Sequence, residues 1–139
     1  MRRVIPLLRA GAPLLDWGRQ FDSYSVIRRW AVGPRAHERH VDMANEMILT
    51  APTHVLSDFY RNFVDLDLSS GLDAVGRART TVVGGTADLL TPLKHSRRLA
   101  DEIPDAKLVV LQDVGHMMMF EDHESVTKAI EDVLEDITA

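Results

Sequence analysis

At 139 residues the chain is the size of one ordinary domain, and 45% hydrophobic against 27% charged residues is the balance of a globular protein rather than a disordered one. Lys plus Arg number 16 and Asp plus Glu 21, so the net charge is −5, which argues against general nucleic-acid binding through a basic face. There is no Cys, which excludes disulfide scaffolds, thiolate metal sites and cysteine nucleophiles, and no apolar run approaches the ~18–20 residues of a membrane span.

The charge is uneven. Residues 1–40 hold eight Arg against three acids, and residues 101–139 hold eleven acids against two Lys. Two solvated faces of opposite sign attract each other. The other reading, a basic arm for an anionic partner, lacks a tight Lys/Arg cluster. Met1-Arg2-Arg3 followed by Val4, Ile5, Leu7 and Leu8 has the outline of a signal peptide. Pro6, Arg9 and Pro13 break the ~7–15 apolar residues such a leader requires, so cytoplasmic residence is the expectation.

In chain order, residues 2–17 read as helix in pieces, interrupted at Gly11 and Pro13. A short helix over 22–31 ends at Gly33-Pro34. From Arg35 to Thr50, Val41, Ala44, Met47 and Ile48 fall on one helical face. Thr50 is placed to cap the next helix, with Ala51 and Pro52 in its first turn. There Val55, Leu56, Phe59, Tyr60 and Phe63 form an apolar face. Trp17, Phe21, Trp30, Phe59 and Phe63 either pack the helical half or line an apolar substrate tunnel. His37 and His40, with Glu38 and Asp42 nearby, fall short of the converging ligands a metal needs, so a solvated face and no metal site are expected.

No strand is expected before residue 78. Thr80-Thr81-Val82-Val83 is β-branched throughout and reads as a short buried strand stopping at Gly84-Gly85. Thr91-Pro92 opens a helix with Leu93, Leu99, Ala100 and Ile103 on its apolar face, ended by Pro104. Lys107 to Leu111 is a second strand, and Gln112 to Glu121 a loop. Asp122 caps a last helix with Val126, Ile130, Val133, Leu134 and Ile137 as its buried face. Strand, helix and strand over 80–111, with a helix after, is an α/β arrangement with parallel strands. Two parallel strands alone leave an edge open, so self-association or a partner chain covering that edge is expected.

Functional groups in parallel sheets gather on the loops after strand ends. Asp88 lies on the first such loop and His116 on the second. Adjacent strands ~4.8 Å apart let the two meet, carboxylate orienting imidazole as in a hydrolytic triad. Met117 and Met118 follow His116; either they line an apolar substrate pocket or they pack the core beneath the loop.

The segments V-V-G-G-T-A-D-L-L-T-P and L-V-V-L-Q-D-V-G-H-M-M-M-F-E resemble the C-terminal part of an α/β-hydrolase: strand, G-x-x-D, helix, strand, G-H. The resemblance is close over residues 80–137. It implies an α/β fold, a partial α/β-hydrolase with a helical cap over 1–67 and part of the core over 68–139. It matches Asp88 to the family's acid and His116 to its histidine. Two departures stand out. Asp113 replaces a usual small residue, either as a surface carboxylate or as a change to the loop. The G-x-S-x-G nucleophile elbow is absent: none of Ser23, Ser25, Ser57, Ser69, Ser70, Ser96 or Ser125 has flanking glycines between strand and helix. By resemblance the missing pieces belong upstream of Met1. The implied activity is hydrolysis of a small apolar ester or acyl substrate, lipase- or esterase-like, with no cofactor, and the chain alone is expected to be inactive. The rival reading is a non-enzymatic pseudoenzyme or interaction module that keeps the fold remnant.

Overall fold

The computed structural model describes residues 18, 23–63 and 66–138. The helical pieces expected over 2–17 and the anchors Trp17 and Phe21 lie outside them. Residues 23–30 are helical (α1), and α2 runs Glu38–Thr50. Along α1 and α2 the apolar periodicity closes a small core: Ile27, Ala31, Val32, Val41 and Ala44 cluster, with Tyr24, Ala36 and Met117 packed against them. Met47 and Ile48, assigned by sequence to the same face, are exposed.

Helix α3 (Thr53–Phe63) departs further from expectation. Its Val55 and Leu56 amides bond to the carbonyl of Pro52, which with Ala51 precedes the helix rather than lying in its first turn, and the Thr50 hydroxyl donates to the Met47 carbonyl at 2.7 Å at the end of α2. Thr53 and Ser57 are its buried residues, whereas Val55, Phe59, Tyr60 and Phe63 face solvent. The Ser57 hydroxyl is satisfied on its own helix by the His54 carbonyl at 3.0 Å, which lets a polar residue turn inward. A 3-10 turn (Ser69–Gly71) and the short α4 (Leu72–Val75) lead to the sheet.

Strand β1 (Thr81–Gly85) and strand β2 (Lys107–Leu111) pair in parallel, from Thr81 opposite Lys107 to Gly85 opposite Leu111. Gly84 and Gly85 are thus the last rungs of the ladder rather than a turn beyond it. Helix α5 (Leu93–Glu102) crosses between the strands and packs chiefly on β1. Helices α6 (Met118–Glu121) and α7 (His123–Thr138) follow. The α/β expectation of two parallel strands with a helical crossover holds. Asp122 accepts the Ser125 N–H at 3.2 Å, the cap read from sequence, while α6 occupies part of the expected loop.

Among the described residues β1 is paired along one edge alone. On α7, Ala129 is buried but Ile130, Leu134 and Ile137 are exposed, each more than half. A hollow of about 370 Å³ lies between this helix and β1, lined by Thr81, Val83, Val126, Ile130 and Leu134 among others. The apolar faces of α3 and α7 are real in the sequence, but among the described residues no element covers them. Basic N-terminal and acidic C-terminal regions do meet: the Arg35 guanidinium lies 2.7 Å from the Asp122 carboxylate. No described helix is long and apolar enough to cross a membrane.

Candidate active site

The loops that leave β1 and β2 are stitched together at the strand ends. Thr86 N–H donates to the Leu111 carbonyl at 2.9 Å, and Ala87 N–H to the Val114 carbonyl at 3.0 Å. Asp113 N–H donates to the Thr86 hydroxyl oxygen at 2.9 Å. Asp113 itself adopts φ 58°, a left-handed conformation that Asp tolerates better than most residues, and so serves the loop's course.

Asp88 folds back on its own loop. Its Oδ1 accepts the Leu90 and Thr91 amides at 2.9 and 2.8 Å, and Oδ2 accepts the Thr91 hydroxyl at 2.7 Å. That turn occupies the residues sequence reading gave to a Thr91 cap; the N-cap of α5 is Pro92. Oδ2 also lies 3.0 Å from His116 Nδ1, with the Asp88 side chain 3% exposed and the His116 side chain 39%. Thr91 Oγ1 lies 3.1 Å from the same nitrogen. An ionised carboxylate can only accept, and the Thr91 proton is committed to Asp88. His116 Nδ1 therefore carries the proton, and Nε2 of the neutral ring keeps its lone pair.

Burial by itself would raise the Asp88 carboxyl, but the Thr91 amide and hydroxyl together with the His116 ring outweigh it and hold the group below its ordinary value of 3.8. A carboxylate depressed on folding stabilises the fold above its ordinary value, and that contribution is lost as pH falls below 3.8 through the folded value. The Tm advantage of the native chain over Asp88→Asn is thus expected to be present at about pH 5 and to narrow as pH falls below about 4. Thermal unfolding followed by circular dichroism across that range measures it.

Met117, next to His116 in the chain, packs against the helical core, and Met118 is half-buried in the first turn of α6. His37 and His40 do not gather further ligands: their rings sit edge-to-face at 5.7 Å, and His40 rests on Phe120 at 5.6 Å. Among the described residues no three His, Cys, Asp or Glu side chains come together to hold a metal.

Two residues of the site escaped sequence reading. Thr91 was legible in principle, since an Asp with a Thr three residues on is an Asx-turn spacing. Glu121, at the end of α6, is buried and accepts backbone amides from Gly33 and Gly115. No local signal marks it, because one of its partners is 88 residues away.

An α/β-hydrolase family model described as TAP-like protein matches residues 67–139. Among solved structures, a malate-bound thermophilic esterase from Thermogutta terrifontis is similar at TM-score 0.75 and 25% identity, covering 99% of this chain and 49% of the esterase. An esterase from Exiguobacterium antarcticum gives 0.68 at 17% identity, covering 91% and 48%. An enzyme described as degrading N-acyl homoserine lactones gives 0.62 at 24% identity, covering 90% and 53%. At those last two identities the likeness is one of fold. The chain spans about half the length of each of these structures. No curated protein matches it.

Proposed function

The chain belongs to the TAP-like protein family of the α/β-hydrolases, and from that premise we propose that it supplies the acid and the histidine of an ester-hydrolysing site. The observation that carries this reading is the 3.0 Å contact between Asp88 and His116 at the ends of adjacent parallel strands. His116 Nε2 takes the proton of an attacking serine hydroxyl and then returns it to the departing alkoxide. Asp88 holds the ring in the required tautomer and stabilises the imidazolium that forms between those steps. Thr91 fixes the Asp88 carboxylate.

The nucleophile is a serine on a separate strand–turn–helix, since none of the seven serines in this sequence has that context. The elements bearing it sit against the open edge of β1 and the apolar face of α7. Residues 1–67 act as a helical cap on the core formed in part by 68–139. Met117 and Met118 offer apolar surface beside His116 to a small ester or acyl substrate. The reaction needs no cofactor, and the compartment in this reading is the cytoplasm. The chain's likeness to the Thermogutta terrifontis esterase, at 25% identity, supports an ester as the substrate class.

An interaction module without catalysis is the second reading, favoured by the exposed Val55, Phe59, Tyr60 and Phe63 on α3. Ester hydrolysis by this chain fused behind a serine-bearing half of the fold separates the two: turnover that requires both Asp88 and His116 supports the hydrolase. A fused protein that folds yet turns over nothing supports the module.

A further inference from the structure

The residues on either side of His116 are both anchored to one turn of the helical half. Before it, Gly115 N–H donates to Glu121 Oε2 at 2.9 Å, and the same oxygen accepts Gly33 N–H at 2.8 Å. After it, Met117 N–H donates to the Ala31 carbonyl at 3.1 Å. Residues 31–33 close the core built by Ile27, Ala31 and Val32, so the anchor is a rigid one. The two backbones touch: a Cβ on Gly115 would lie 2.2 Å from the Gly33 nitrogen, and one on Gly33 would lie 2.6 Å from the Gly115 nitrogen.

Glu121 is 8% exposed, and its Oε1 is buried without a hydrogen-bond partner among the described residues. An apolar side chain would fill the same space without desolvating a carboxylate. The carboxylate contributes something an apolar group cannot. One oxygen shared by two amides fixes the separation of Gly33 and Gly115, and with it the height of the His116 loop above the strand ends.

We propose that Glu121 is a positioning residue for His116, its buried carboxylate tying the Gly115–His116 loop to the Gly33 turn so that the imidazole meets Asp88. This rests on the reading of Asp88 and His116 as the catalytic pair. Asp88 is held on the β1–α5 loop by Thr91, whereas the residues flanking His116 are held by Glu121 and by Ala31 of the helical half. The pair closes only while both anchors hold, and a displacement near 1 Å is enough to lose a productive hydrogen bond.

The test uses the full chain with nitrogen-15 NMR. Two readouts are recorded: the ring Nδ1–H signal of His116, and amide exchange at Gly33 and Gly115. In the native chain His116 shows an Nδ1–H tautomer with a protected ring proton. Glu121→Leu is expected to raise exchange at both glycine amides about tenfold and to abolish the protected ring signal. Glu121→Gln keeps one carbonyl oxygen to bridge the two amides and is expected to restore both. Ile103→Ala, which opens the core at a buried residue outside the cluster that holds residues 31–33, controls for general loss of stability and is expected to leave the ring signal in place. If Glu121→Leu does not fold, Glu121→Asp, too short to reach both amides, takes its place with the same expectation.

A ring signal that survives in the leucine or aspartate variant overturns the proposal, as does its equal loss in Ile103→Ala. Absence of the ring signal from the native chain overturns the Asp88–His116 pairing instead. Protected Gly33 and Gly115 amides in that same spectrum would then show that the Glu121 bridge itself is intact, so the two failures are distinguishable.

Discussion

Fused behind a serine-bearing half of the fold, the chain is expected to hydrolyse p-nitrophenyl esters of short acids, and His116→Ala to lower kcat by about 10⁴- to 10⁶-fold. The size of that loss follows from what the imidazole does in both half-reactions. Without it the serine hydroxyl is not deprotonated on attack and the alkoxide is not protonated on departure. Asp88→Asn is expected to cost about 10⁴-fold. An amide in that place can donate to the ring as well as accept from it, so the Nδ1–H tautomer is no longer enforced, and it carries no charge to offset the imidazolium. Thr91→Val removes one acceptor and one donor at the same pair and is expected to cost less, since the two amide bonds to Asp88 Oδ1 survive. The chain alone is expected to stay at background, because a general base acting on water contributes at most ~10²–10⁴ and needs a held substrate. Initial rates on short- and long-chain esters, with each variant in the fused protein, check all of these. A fused protein whose rate ignores His116→Ala contradicts the assignment.

The second large effect concerns association. Ile130, Leu134 and Ile137 on α7 lie exposed, and β1 has one unpaired edge among the described residues. In the isolated chain a second copy is expected to cover this face, so the mass by light scattering rises with concentration. Burying one such side chain is worth about 1.5–3 kcal/mol, so Leu134→Glu is expected to weaken the dimer at least about tenfold. A monomer at every concentration, with a sharp thermal transition, would show that the chain closes its own core and that the exposed face needs no cover.

How much of this was legible in the sequence differs between the two halves for a physical reason. The sheet half carries short-range signals: β-branched runs for β1 and β2, an Asp at the start of α7, and Asp88 and His116 each directly after a strand. Parallel pairing then brings those loops together with no further information. The helical half is governed by what covers each face, which periodicity does not reveal. Phe59 and Phe63 have the spacing of core residues, and their rings do meet, at 5.0 Å, but on the outside of α3. Ser57, polar and ordinary in sequence, turns inward because its hydroxyl is already bonded to its own helix. Glu121 lies at the extreme, since its meaning depends on Gly33 and Gly115 approaching from distant parts of the chain. Thr91 lies between, misread as a helix cap because Thr-Pro is a common helix start, although it serves Asp88 three residues earlier.

In the proposed reading Asp88 and His116 form one half of a serine hydrolase site whose nucleophile is not among the serines of this sequence. A fluorophosphonate, which phosphorylates activated serines and is then located by peptide mass spectrometry, tests it most directly. No labelling of the isolated chain is expected. In the fused protein labelling is expected at the serine of the added elbow alone, lost in His116→Ala. Labelling of one of Ser23, Ser25, Ser57, Ser69, Ser70, Ser96 or Ser125 in the isolated chain, abolished by His116→Ala, would contradict that reading.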